Sequence, residues 1–257
     1  MQSVIITGAG TGIGQAAAVM FADRGWNVVC VDVSEASLQW CSDDPRFATV
    51  VGDVAVDDTS ASMVRACLDT FGRLDAVVLN AGIARRASWT ADDVMETFDT
   101  IMAVNVRSVV SGIRHAAPVM AAAGGGSIVV TASTSATGGD PQRFAYNASK
   151  AAVVNIVRAA ALDFGHAGVR INAMAPGPTM TPILQGGAVT AEHLEEYRRP
   201  IALQRLGRPE EQAEVIYFLS SPAASYVTGA LYMCDGGITA NAGVFLPPSI
   251  PLDEVHH

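Results

Sequence analysis

Val4-Ile5-Ile6-Thr7-Gly8-Ala9-Gly10-Thr11-Gly12-Ile13-Gly14 decides the fold of this chain. Three apolar β-branched residues read as a buried strand, the glycines as a tight turn, and the apolar run after Gly14 as a helix. Strand, glycine turn and helix start together make an anion site. The backbone can approach a pyrophosphate closely, and the first helical N–H groups lack partners and carry partial positive charge. The spacing departs from Gly-x-Gly-x-x-Gly, whose third glycine would fall at Ile13. Gly8, Gly12 and Gly14 are therefore read as the required ones, with Thr11 and Ile13 in the same coenzyme-binding loop. Glycines alone can mean only a turn. Asp32 shifts the weighting: it ends a second apolar run, Val28-Val29-Cys30-Val31, in the position of a carboxylate that accepts hydrogen bonds from the adenosine ribose and repels a 2′-phosphate. No cation stands at Thr11 or Val33 to receive that phosphate, so NAD is expected over NADP.

The same rhythm continues outward. Apolar runs at 4–6, 27–31, 48–51, 76–79, 127–131, 170–173 and 230–233 read as strands buried on both faces of a parallel sheet. Helical patterns at 14–24, 59–71, 91–102, 106–120 and 145–164 lie between them. This alternation predicts an α/β, single-domain, Rossmann-like doubly wound parallel sheet of about seven strands, with helices on both faces. Gly25 and Gly72 follow helical runs where a left-handed cap favours glycine. The stretch 178–208 carries Pro, Gly and charge with a short helical pattern near 192–199, and a substrate lid is expected around 179–205. The tail 238–257 reads as irregular, and no linker divides residues 1–257.

Composition excludes several classes. The 257 residues carry 25 acidic and 16 basic side chains, a net charge of −9 without the basic patch of a nucleic-acid binder. No apolar run is long enough to span a membrane. The Met1-Gln2-Ser3 start lacks a signal peptide's basic and apolar regions, so a cytoplasmic location is the default expectation. Cys30, Cys41, Cys67 and Cys234 are scattered and read as free thiols, and the five histidines show no ligand spacing, so no metal is assigned. Half the residues are hydrophobic, which favours burying surface against partner subunits.

A second motif carries chemistry. Phe144-Ala145-Tyr146-Asn147-Ala148-Ser149-Lys150 opens a long helix, and residues four apart share a face. A free tyrosine titrates near 10, too high for a base at neutral pH. A neighbouring ammonium and a nicotinamide cation both favour the phenolate, and tuning toward about 7 suits acid–base work on an alcohol or carbonyl. Tyrosine and lysine at this spacing occur by chance on many helices; their meaning comes from the glycine loop and Asp32 upstream.

Taken in order, Thr7-Gly8-x-x-x-Gly12-Ile13-Gly14, Asp53-Val54, Asn80-Ala81-Gly82, Asn105, Ser133, Tyr146-x-x-x-Lys150, Pro176-Gly177 and Asp235-Gly236-Gly237 strongly resemble the short-chain dehydrogenase/reductase family over residues 2 to about 238. The resemblance implies that Tyr146 exchanges a proton with the substrate oxygen. Lys150 would hold the nicotinamide ribose and lower the Tyr146 pKa, and Ser133 would polarise the same oxygen. Asn105 would support a water chain from Lys150. Asp53 and Val54 would flank adenine, Asn80, Ala81 and Gly82 would line the adenosine side, and Pro176, Gly177, Thr179 and Thr181 would wrap the nicotinamide. A homotetramer is implied, with a homodimer as the alternative. Three positions depart from the pattern: Ala132 before Ser133, which leaves Thr131, Thr134 and Ser135 as rival hydroxyls; Leu79 before Asn80; and Thr179 after Pro176-Gly177.

The expected activity is reversible hydride transfer between NAD and a secondary alcohol or ketone such as a polyol, sugar or hydroxy compound, oxidation being favoured. The rivals are a 3-oxoacyl thioester reductase or 3-hydroxyacyl dehydrogenase, and a nucleotide-sensing protein without turnover. Arg85, Arg86, Gln142 and Arg143 are candidate polar substrate contacts or simply solvated loop residues; Trp89, Phe144, Met180 and Leu184 are candidate apolar walls. Asn172 reads as structural.

Overall fold

Each of the seven apolar runs forms a strand in a computed structural model of the chain, which describes residues 1–182, 190–241, 243 and 245–249. They are β1 (Ser3–Thr7), β2 (Asn27–Asp32), β3 (Phe47–Val51), β4 (Ala76–Leu79), β5 (Gly126–Thr131), β6 (Val169–Pro176) and β7 (Leu231–Cys234). All pair in parallel in the order β3-β2-β1-β4-β5-β6-β7. The order reverses between β1 and β4, and the crevice outside their C-terminal ends is where ligands bind in open sheets of this kind. Gly8 and Asn80 follow those two ends directly.

The helices are α1 (Gly12–Asp23), α2 (Asp57–Phe71), α3 (Val94–Met102), α4 (Ser108–Ala122), α5 (Phe144–Phe164), α6 (Ala191–Arg198) and α7 (Pro209–Ser220). Strand side chains alternate between two cores. Ile5, Val29, Val77 and Ile128 pack under Met63 of α2, Ile113 of α4 and Val153 of α5. Val4, Ile6, Val28 and Val129 pack under Phe21 of α1 and Ile216 of α7. Burying one such side chain contributes roughly 1.5–3 kcal/mol, which is why the central strands tolerate no alternation with polar residues.

Gly72, at φ 73°, ends α2 by donating its N–H to Leu68 O at 2.9 Å, and Gly25 takes φ 80° just past α1. Two features differ from the sequence expectation. The patterns at 91–102 and 106–120 are one helical run, joined through a π turn at Ala103–Arg107. The extra residue of such a turn re-aims its side chains, and here it buries Asn105. Helix α7 is absent from the helices expected above, although Pro209 at its first turn and Glu210 and Glu211 after it are N-terminal signals. It packs on α1 through Phe21 and Tyr217 at 5.1 Å and an Arg24–Glu214 ion pair at 2.6 Å.

Asn172 is fully buried, donating to Val227 O at 2.8 Å and accepting from Ala230 N at 3.1 Å, so it clasps the turn into β7. The tail folds back far enough for Arg199 to reach Pro247 O at 2.6 Å. Residues 183–189, Leu184 included, and the end of the tail lie outside the described residues. Among the described residues no helix is long and apolar enough to cross a membrane.

Candidate active site

The glycine loop is shaped by close backbone approach. Gly8 and Gly12 have φ of 67° and 58°, the region glycine enters without cost. A side chain at Gly14 would run into the Gly8 carbonyl, and one at Gly10 would strike Ser37 and Asp32. Gly10 is therefore a fourth required glycine that the spacing did not single out. Thr11 heads α1 without a side-chain cap, no acidic residue occupies the first turn, and Ile13 packs inward toward the α1 core. No side chain of the loop therefore caps the start of α1.

Asp32 is held from two sides, its Oδ2 accepting from Gly10 N at 3.0 Å and its Oδ1 from Ser34 N at 3.1 Å. Each oxygen keeps a lone pair for a ribose hydroxyl. Asp53 is exposed and accepts from Ala55 N at 2.9 Å, while Val54 is half-buried against the core. On the other flank, a methyl at Gly12 would sit 3.3 Å from Thr181 Cγ2, Thr179 Oγ1 donates to Gly177 O at 2.9 Å, and Pro176 ends β6. The loop expected to take the pyrophosphate and the segment expected to wrap the nicotinamide thus come together at Gly12. A cradle that excludes any Cβ, beside an open helix start and a carboxylate, fits a dinucleotide.

Three strand ends are tied together by one side chain. Asn80 Nδ2 donates to Thr7 O at 3.1 Å, and its Oδ1 accepts from Thr131 Oγ1 at 3.1 Å. Thr7 Oγ1 in return accepts from the N–H groups of Asn80 and Ala81 at 2.9 and 3.1 Å. Thr131 passes the connection onward, its carbonyl accepting from Lys150 Nζ at 2.7 Å. Thr7 was visible only as a motif letter and Thr131 only as a rival hydroxyl; the structure makes both parts of the frame.

Lys150 is 4 % exposed, and burial brings its ammonium down to about 8. Its Nζ lies 5.7 Å from the centre of the Tyr146 ring. Among the protein's own groups, burial dominates at Tyr146 and pushes its phenol up from the ordinary value; the Ser133 hydroxyl and Arg143 pull it down, and Asp140 adds to the rise. The expected lowering is therefore not achieved by the side chains alone, because desolvation of the phenolate outweighs them. Thr131 spends its hydroxyl on Asn80 and Ser135 spends its own on Asp140, which leaves Ser133 as the hydroxyl in contact with Tyr146.

Asn105 is buried and grips the peptide of Ile83 from both sides, accepting from its N–H at 2.8 Å and donating to its carbonyl at 2.9 Å. It also donates to Ser149 Oγ at 3.0 Å. Gly82 lies between this amide and Lys150: a methyl there would sit 3.2 Å from Asn105 Oδ1 and 3.4 Å from Lys150 Nζ. Outside this centre, Arg85, Arg86 and Gln142 are exposed and Arg143 is half-buried. Trp89, 74 % exposed, stacks on Phe144 at 3.9 Å, and Met180 is also partly exposed. No group of three or more His, Cys, Asp or Glu side chains that could hold a metal occurs among the described residues.

Known proteins share this architecture. A family model described as Enoyl-(Acyl carrier protein) reductase matches residues 8–239. Cis-4-hydroxycyclohexanecarboxylate dehydrogenase of Sinomonas cyclohexanicum is 37 % identical, over 92 % of this chain and 96 % of its own. Levodione reductase of Leifsonia aquatica is 33 % identical over 92 % of this chain and 94 % of its own. A crystal structure of levodione reductase superposes with a TM-score of 0.87 over 93 % of this chain and 98 % of the other. The 3-ketoacyl-(acyl-carrier-protein) reductase of Brucella melitensis, complexed with NADH, gives the same TM-score and coverage at 33 % identity. The chain belongs to the short-chain dehydrogenase/reductase family, oxidoreductases that act on CH–OH groups with a nicotinamide coenzyme.

Proposed function

We propose that the protein transfers a hydride reversibly between NAD and a secondary alcohol or its ketone, with Tyr146 as the acid/base. One observation carries this reading. Lys150, buried beside Tyr146, hydrogen-bonds Thr131, whose side chain holds Asn80, which in turn holds the start of the glycine loop. The proton-handling pair and the dinucleotide cradle are one hydrogen-bonded frame. The coenzyme, when bound, supplies the acceptor for the hydride that leaves the alcohol carbon. Tyr146, as phenolate, takes the hydroxyl proton; Ser133 holds the same oxygen; Lys150 balances the phenolate charge and reaches the ribose. Asn105 fixes the backbone after Gly82, so that the wall beside Lys150 keeps its place. A purely nucleotide-sensing protein would have no use for this set.

NAD is proposed over NADP on the strength of Asp32, whose carboxylate stands where a 2′-phosphate would go, with Val33, Ser34 and Glu35 following it and no cation among them. We place the substrate beside the 83–90 segment, the 134–143 loop and the described parts of the expected lid, residues 179–182 and 190–205. The protein is proposed to be cytoplasmic and a homotetramer, an arrangement supported by exposed Val110 on α4 and Leu162 on α5; light scattering tests it, a monomer being the contrary result. Alicyclic hydroxy compounds and ketones are the first substrates to try, because one of the relatives named above is a dehydrogenase named for 4-hydroxycyclohexanecarboxylate and another is a reductase named for levodione. The Brucella relative keeps a thioester substrate as the second reading. A screen of cyclohexanols, polyols and 3-hydroxyacyl thioesters, followed by NADH absorbance, separates the two. Tyr146→Phe should leave NADH binding intact and lower turnover by roughly 10²–10⁴-fold; retained turnover would refute the assignment.

A further inference from the structure

The Ser133 hydroxyl is not isolated. It donates to Ser135 Oγ at 3.1 Å and accepts from Ser135 N at 3.1 Å, and Ser135 Oγ donates to Asp140 Oδ2 at 2.5 Å. Ser133 and Ser135 are both 7 % exposed, so the two hydroxyls form a buried relay that ends on a carboxylate at the surface. A carboxylate only accepts. It therefore fixes the proton order along the relay: the Ser135 proton points at Asp140, and Ser135 Oγ can then only accept from Ser133. A hydroxyl has one proton, so the pull that Ser133 exerts on the phenol draws on the same proton that Ser135 holds, and Ser133 exerts it in full only by turning away from Ser135.

Asp140 is itself tightly placed. Its carbonyl accepts from Asn147 Nδ2 at 3.1 Å and from Arg143 N at 3.3 Å, both at the start of α5 beside Tyr146. The loop that carries it is pinned to the 83–90 segment, where Ala87 N donates to Gln142 O at 2.8 Å, and Gln142 holds φ 59°. A non-glycine residue in that region implies a conformation enforced by its surroundings.

From this geometry we propose that Asp140 is a positioning residue: through Ser135 it directs the Ser133 proton away from Tyr146 and the substrate oxygen, and so holds the working range of the base at higher pH. The proposal rests on Tyr146 as the base. Ser133 supports the phenolate or a substrate alkoxide only by giving up its bond to Ser135, and the charge of Asp140 opposes the phenolate directly. Both effects act in one direction. The other charges near the phenol are Lys150 one turn along α5 and Arg143 at its start, both cationic. Arg85 and Arg86 of the 83–90 segment, Glu96 and Asp99 of α3 and Arg107 of the π turn are all exposed.

Two variants separate the parts. Asp140→Asn keeps the shape and removes the charge, and its amide can donate to Ser135, which reverses the relay. Ser135→Ala breaks the relay and leaves the charge. The first readout is the phenolate absorbance of the coenzyme-free protein during alkaline titration, each variant minus its Tyr146→Phe counterpart. The second is the acid limb of kcat/KM for the best alcohol in the screen above. In Asp140→Asn both should move to lower pH by about half a unit, a roughly threefold gain in rate on the limb; Ser135→Ala should move them the same way by less, and Ser135→Thr should restore the wild-type values. Titration midpoints that stay in place in either Asp140→Asn or Ser135→Ala would overturn the proposal, even if kcat falls. A protein that oxidises no alcohol would instead defeat the functional reading, while the titration still decides the relay.

Discussion

Replacing Lys150 by methionine should abolish turnover and yet stabilise the coenzyme-free fold at neutral and mildly acid pH. The ammonium is 4 % exposed with one hydrogen bond, to Thr131 O, and burial brings it from 10.5 to about 8. That drop corresponds to roughly 3 kcal/mol of folding free energy lost whenever the group is charged in both states. Methionine has nearly the same length and no charge. It leaves the Thr131 carbonyl without its donor, a loss of about 1–2 kcal/mol, so the net gain is about 1–2 kcal/mol. For a chain of this size each kcal/mol moves Tm by roughly 2–4 °C. The pH dependence makes the test specific. Below about 8 both folded and unfolded lysine are protonated and the penalty is complete; between about 8 and 10.5 the unfolded chain binds more protons, so wild-type stability rises with pH. Thermal melts at pH 6 should favour Lys150→Met, and the advantage should disappear by pH 10.5. A variant less stable than wild type at pH 6, or a difference that does not change with pH, would refute the reasoning.

Gly14→Ala should weaken NADH binding at least tenfold by calorimetry and lower stability by roughly 1–3 kcal/mol, since its methyl meets the Gly8 carbonyl; unchanged binding would contradict the cradle. Glu211, bonded to Arg205 at 2.7 and 2.8 Å and to Arg208 N at 2.8 Å, is held down at about 2, chiefly by Arg205. Its contribution is complete above pH 4.5 and fades as pH falls toward 2, so Glu211→Gln should melt roughly 3–6 °C lower at pH 7. Partial exposure of the Arg205–Glu211 pair to water keeps the loss that small, and the gap should close in acid. Asp32→Ala should raise the ratio of kcat/KM with NADP to that with NAD about tenfold, the equivalent of roughly 1.4 kcal/mol; an unmoved ratio would sink the coenzyme assignment.

The strands were legible because buried parallel strands leave unbroken apolar runs: Val77-Val78-Leu79 and Ile128-Val129-Val130 have no other plausible reading. Helix α7 was less so, since its pattern Ala213–Leu219 sits between a charged start and a serine-rich end and its apolar face packs on residues far away in sequence, Phe21 and Trp26 among them. The π turn left no composition signal; Asn105 was placed by resemblance, and its grip on Ile83 depends on the extra residue in that turn. Tyr146 and Lys150 were readable from spacing, but the direction of the Tyr146 shift was not, because desolvation depends on what lies above the ring. Ser135 was legible only as a rival hydroxyl and Asp140 not at all, and only the fold brings them behind Ser133.

The tie made by Asn80 also has a meaning in time. Its partners Thr7 and Thr131 lie 73 and 51 residues away along the chain, and Lys150 reaches Thr131 across a further 19. Closing loops of that length is entropically costly, and such contacts form only after the intervening segments are ordered. A chain with its first three strands assembled would hold a glycine turn but no floor beneath it. The capacity to bind a dinucleotide is therefore expected late in folding, when β5 has docked beside β4, and its recovery after denaturation should report the completion of the central sheet.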